Sequence, residues 1–154
     1  MENSELQAAI KNAFSEVVLG GGIGLHEADA IDSRGTPEIC TLAREQDEKL
    51  DWQKVPLKSL NRCFSSYNWL DAEGLRFYLP AMMLAEVSGD YGHTVGDRLA
   101  SPHLNERYNL LSAEQRQVVI DFLNWCLGYG EYGNSESQII MTSLLHGHWR
   151  ESDA

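Results

Sequence analysis

Ser112-Ala113-Glu114-Gln115-Arg116-Gln117-Val118-Val119-Ile120-Asp121-Phe122-Leu123-Asn124-Trp125-Cys126-Leu127-Gly128 is the stretch that decides the fold class. Ser112 and Gln115 stand at capping-box spacing, where each side chain takes the other residue's backbone N–H. Val118, Val119, Phe122, Leu123, Cys126 and Leu127 then return at helical period. Gly128 supplies a C-terminal cap. The spacing predicts a helix over 113–127.

The same signals recur outward in both directions. Ser135 with Gln138 starts a last helix over about 136–146, carrying Ile139, Ile140, Met141, Leu144 and Leu145. Ser4 with Gln7 starts a first one over about 5–18, with Leu6, Ile10, Phe14, Val17 and Val18 at helical spacing. The glycines of Leu19-Gly20-Gly21-Gly22-Ile23-Gly24 break it, because each loses too much backbone entropy in a helix. Leu25–Asp32 reads as a short second helix. Thr36-Pro37 is an N-cap followed by proline at the first helical position, and it predicts a helix over about 37–50. Ile39, Leu42, Ala43, Gln46 and Leu50 line one face of that helix. Arg44/Glu48 and Glu45/Lys49 are i,i+4 pairs on the other. Residues 51–56 are a turn, and 57–64 another short helix. A helix begins at Asp71 and is kinked or ended by Pro80, with apolar helix continuing over 81–87. Residues 89–111 read as loop with one helical turn near 97–100. No run alternates with period two for long enough to make a strand. The expectation is an all-α, compact single-domain bundle of five to seven helices.

The length of 154 residues is that of one domain. A chain of 17.3 kDa buries about two-thirds of its extended surface, enough for a core without metal or disulfide staples. Cys40, Cys63 and Cys126 are odd in number, widely spaced and in apolar settings, which predicts reduced, buried thiols of a cytoplasmic protein. The N-terminus has neither the basic nor the apolar region of a secretory signal. The longest uncharged apolar runs, Val17–Leu25 and Phe77–Ala85, fall far short of the roughly 20 residues of a membrane span. Twelve basic against 23 acidic residues leave a net charge of −11, with no local basic patch. Nucleic acid and anionic membranes are therefore excluded as expected partners, and a basic protein is favoured.

Each candidate for chemistry has a structural reading beside it. The glycine run lacks the Gly-Lys-Ser/Thr of a phosphate loop and follows a helix rather than a strand, so it reads as a helix connection needing positive φ or close packing. His26-Glu27-Ala28-Asp29-Ala30 lacks the second histidine of a zincin motif and reads as an acidic exposed face or as acidic charge at a helix start. His146-Gly147-His148 does not share one helix face and reads as a polar tail. A transition metal, were one held, would go first to His26, His146 and His148. No metal, cofactor or disulfide is expected, and no nucleophile elbow occurs. The carboxylates Asp71 and Glu73 say nothing of acid–base work in so acidic a chain.

The stretches Asp47-Glu48-Lys49-Leu50-Asp51-Trp52-Gln53-Lys54-Val55-Pro56 and Leu70-Asp71-Ala72-Glu73-Gly74-Leu75-Arg76-Phe77-Tyr78-Leu79-Pro80-Ala81 resemble the signatures of a family of small, uncharacterised bacterial proteins. Leu19–Asp32 resembles the N-terminal part of the same family. The resemblance covers the first half of the chain, implies a bacterial origin and brings no catalytic residues with it. Read physically, Trp52 and Pro56 wedge between helices, Glu73 pairs with Arg76, and Phe77, Tyr78 and Pro80 supply core bulk. The functional alternative is that Asp71, Glu73, Arg76 and Tyr78 line a ligand cleft.

These readings favour a non-catalytic acidic binding protein: an immunity protein that neutralises a cognate, basic, nuclease-like bacterial toxin. Its expected contacts are Glu27, Asp29 and Asp32 on the second helix and Glu45, Asp47 and Glu48 on the third, with Trp149, Tyr129 or Tyr132 as aromatic anchors. The alternatives are a small enzyme or ligand-binding domain built on residues 71–80, or an adaptor subunit.

Overall fold

A computed structural model describes residues 1–101 and 106–150. The chain is all-helical. Among the described residues there are eight α-helices, one more than the upper limit expected, because short tertiary-stabilised turns add to the patterned ones. They are α1 (Asn3–Ala13), α2 (Leu25–Asp32), α3 (Pro37–Glu45), α4 (Leu57–Arg62), α5 (Ala72–Val87), α6 (Gly96–Leu99), α7 (Ala113–Tyr129) and α8 (Asn134–His146), with 3-10 turns at Trp52–Lys54 and Phe64–Trp69. The loop expected over 89–111 holds α6 where one helical turn was foreseen; residues 102–105 of it lie outside the described residues.

α5 is the centre of the molecule. Eleven of its sixteen residues are buried, so it is apolar on nearly every side, as a core helix must be. That burial explains why the helix continues through Pro80 to Val87 instead of ending there. Proline deletes one N–H and strains one turn, a local cost of about 3 kcal/mol. Packing on both sides of Pro80, from Phe77 and Tyr78 to Met82 and Met83, outweighs it. α1 packs on α5 and α7, α8 lies on α7, and α6 sits against α7 and α8. One contiguous apolar cluster runs from Leu6 and Ile10 through α5 to Phe122, Leu123 and Trp149.

The capping box of Ser112 and Gln115 forms as read, and α7 extends to Tyr129. The other two boxes do not form. Glu2 precedes α1 and Gly133 precedes α8, neither with a side-chain cap. α1 stops at Ala13 instead of 18 because its last carbonyls find distant donors. Gln115 Nε2 donates to the Ala13 carbonyl at 3.1 Å, and the Trp52 indole N–H donates to that of Phe14 at 2.9 Å. The tail after α8 is not a polar extension. Trp149 is fully buried and donates to the Leu99 carbonyl at 2.6 Å, while Arg116 binds both the ring and the carbonyl of His148. Of the three free thiols, Cys63 and Cys126 are buried and Cys40 only half-buried. No helix among the described residues is long and apolar enough to cross a membrane.

Candidate functional site

α2 and α3 are joined by a tight turn. Thr36 Oγ1 caps α3 by accepting from Ile39 N–H, as the sequence predicts. The helix ends at Glu45, not at 50, and neither Arg44/Glu48 nor Glu45/Lys49 is among the ion pairs within 4 Å found in the described residues. Arg44 reaches sideways to the carbonyls of Gly20 and Gly22 and to Glu27, whose carboxylate is 3.5 Å away. Lys49 Nζ folds back onto the carbonyls of Arg44 and Asp47, at 2.7 and 2.9 Å, satisfying the helix end.

The break frees Asp47 to do something that sequence spacing does not announce. Its side chain is 1% exposed and lies against the start of α2, not on the outer face of a helix where it was expected. Oδ1 accepts the backbone N–H of His26 at 2.7 Å and His26 Nδ1–H at 2.9 Å, and Oδ2 accepts the N–H of Glu27 at 3.2 Å. α2 has no cap of its own, since Gly24 precedes it, and Asp47 fills that role from 21 residues away. The approach demands glycine at 24: a Cβ there would stand 2.1 Å from Asp47 Oδ2. The glycine run also contains a true left-handed residue, Gly20 at φ +59°. Its reading as a close-packed connection holds.

Beside this pair lies a cleft of about 330 Å³. Leu25, Val55 and Pro56 give it apolar walls. His26, Gln46, Asp47, Glu48, Lys54 and Tyr78 supply its polar lining. The N–H of Leu50, and after it that of Lys49, hold the Glu48 carboxyl below its ordinary range. Tyr78 donates its hydroxyl to the Glu48 carbonyl at 3.2 Å, and burial pushes that phenol well up. The three stretches that carried the family resemblance, 19–32, 47–56 and 70–81, each contribute to this lining.

Of the four residues expected to line a ligand cleft, Tyr78 alone reaches this one. Asp71 caps α5, its Oδ1 accepting Gly74 N–H at 2.8 Å and Ile23 N–H at 3.0 Å. Glu73 packs under Gly20 and Gly22. Glu73 and Arg76 do not form the expected pair: it is not among the three ion pairs within 4 Å found in the described residues, and Arg76 Nε is buried without a hydrogen-bond partner there.

The acidic surface is thinner than the sequence suggests. Glu27 faces Arg44, Asp29 lies 4.0 Å from Arg62, and Asp32 accepts from Trp69 Nε1 at 2.7 Å and Ser65 Oγ at 3.3 Å. Glu45 is exposed; Asp47 is buried and Glu48 is half-buried. The expected aromatic anchors divide likewise. Trp149 is core, Tyr132 donates to Glu86, and Tyr129 is exposed. What the sequence reading missed is apolar. α3 buries no residue at all, and Ile39 and Leu42, one turn apart, are 52% and 59% exposed. Leu50 nearby in sequence is 75% exposed. The periodicity that reads as a core face is turned to solvent. Among the described residues no three His, Cys, Asp or Glu side chains converge to hold a metal ion.

The chain belongs to a family of unknown function, DUF6714, whose model matches residues 2–153 and so extends over the second half, where the sequence showed only a looser pattern. No curated protein and no solved structure matches it.

Proposed function

We propose that this family member is a non-catalytic binding protein that docks a basic protein on the α2–α3 face, and that the partner is a toxin it neutralises. The observation that carries the reading is the apolar face of α3. A nine-residue helix has no stability of its own in water, and α3 packs mainly on α2. The half-buried Cys40 and Ala43, the Thr36 cap and the Arg44 tether hold it there, whereas Ile39 and Leu42 are exposed. Ile39 and Leu42 therefore contribute little to folding and are available to be desolvated by a partner, the role of interface anchors. The partner's charge follows from the frame. Residues 25–50 hold seven acidic and three basic side chains, with Glu38 and Glu45 exposed on α3 beside the apolar pair. A cationic surface is the complement, and an acidic inhibitor meets a basic nuclease fast by steering.

The test is coexpression with a basic toxin encoded beside this chain's gene. Rescue of growth and a stable one-to-one complex are expected. Ile39→Asp with Leu42→Asp should abolish both while the variant stays folded. Rescue that persists in the double variant overturns the docking face, and absence of any such toxin partner overturns neutralisation.

A further inference from the structure

We propose that the cleft between the start of α2 and residues 46–56 receives a positively charged group on an aliphatic stem, a guanidinium or ammonium, with His26 Nε2 and the Glu48 carboxylate as its acceptors. The chemistry starts from Asp47. A carboxylate that already takes two backbone N–H groups offers only lone pairs, so the proton of the 2.9 Å contact belongs to His26 Nδ1. In the neutral ring Nε2 is then an acceptor, and no group among the described residues donates to it. The imidazole lines the cleft. Glu48 adds a second acceptor, its carboxylate held by the N–H groups of Lys49 and Leu50.

The charge count points the same way. The lining holds two carboxylates, Asp47 and Glu48, against one ammonium, the exposed Lys54. Val55 and Pro56 offer apolar surface suited to methylene groups, as the stems of Arg and Lys require. A volume of about 330 Å³ is at the small end for ligand sites, fitting one side chain or a small amine rather than a large cofactor. The inference rests on the docking reading only for its source, an Arg or Lys of the basic partner; the acceptors belong to the cleft alone.

The experiment is a titration of the uniformly ¹⁵N-labelled 154-residue chain with n-butylguanidinium, n-butylammonium and n-butyrate, read by NMR at the His26 ring and at the amides of Glu48 and Val55. Both cations should shift these signals and saturate, and butyrate should not. Glu48→Gln should weaken cation binding about fivefold, and Lys54→Gln should strengthen it about twofold, as expected for single partly screened charges. Ile39→Ser with Leu42→Ser, which adds no charge, should leave cation binding unchanged, which separates this site from the docking face. A capped Gly-Arg-Gly peptide then distinguishes the sources: binding assigns the cleft to a partner's side chain, and exclusion of the peptide with retained butylguanidinium binding assigns it to a free small molecule. No saturable shift with either cation, butyrate binding in their place, or indifference to both Glu48 and Lys54 overturns the proposal.

Discussion

Asp47 Oδ1 accepts both the backbone N–H and the Nδ1–H of His26, at 2.7 and 2.9 Å, across 21 residues of sequence. One buried carboxylate thus starts a helix, orients an imidazole and ties the α3–turn segment to α2. Charge-assisted bonds of this kind are about twice as strong as neutral ones.

Asp47→Asn keeps an acceptor but loses the charge. It should cost about 1–3 kcal/mol in urea unfolding, the range for a disturbed buried hydrogen-bond group. The His26 ring should also lose its fixed tautomer, visible as ¹⁵N shifts that no longer separate a protonated Nδ1 from a bare Nε2.

Gly24→Ala acts on the same contact from the other side. The new Cβ would sit 2.1 Å from Asp47 Oδ2, so the carboxylate or the chain must move. A loss of about 2–3 kcal/mol is expected, as for overpacking of a tight site. Gly21→Ala, where nothing lies within 4 Å, should change the midpoint far less.

Helix existence was legible wherever a local signal coincided with the period, as at Ser112/Gln115 and Thr36-Pro37. Helix ends were not, because they are decided by side-chain donors outside the helix: the distant Trp52 and Gln115 at the end of α1, and Lys49 folding back onto the end of α3. Burial was misread at both extremes. Ile39 and Leu42 carry a core-like pattern yet face water, and Trp149 sits in a polar tail yet is core. Periodicity names a face but not what lies against it. The candidate cleft was invisible for the same reason, since His26, Asp47 and Tyr78 come from three separate stretches.

That reversal is directly measurable. Trp149→Ala should cost about 3–5 kcal/mol, the range for deleting a buried aromatic. Ile39→Asp with Leu42→Asp should move the melting temperature by only a few degrees, since exposed sites change stability within about 0.5 kcal/mol each.

Glu86 sets a pH dependence of stability. Its carboxyl accepts from Val95 N–H at 2.6 Å and from the Tyr132 hydroxyl, pinning the segments before α6 and α8. Burial nonetheless pushes it above the ordinary value of 4.5. A raised folded-state value means the native protein holds this proton more tightly than the unfolded chain does. The associated stability is full below about 4.5 and is lost as pH rises through the raised value. Glu86→Gln should flatten that part of the stability–pH curve, measured by urea unfolding at a series of pH values. An unchanged slope would show that the carboxyl is not the titrating group.

Association with a basic partner should separate charge from apolar contact. Raising salt from about 50 to 500 mM shortens the screening length from roughly 14 to 4 Å. Exposed carboxylates such as Glu38 and Glu45 then steer less, so the association rate should fall tenfold or more while dissociation changes little. Reversing both to Lys should reproduce the salt effect at low ionic strength. Ile39→Ala with Leu42→Ala should do the opposite, leaving association within about twofold and accelerating dissociation at least tenfold, because anchors act on the bound state. Stopped-flow association and surface-based dissociation measure the two rates separately. Association indifferent to salt and to charge reversal would remove acidity from the recognition of the partner, and dissociation indifferent to the alanine pair would remove α3.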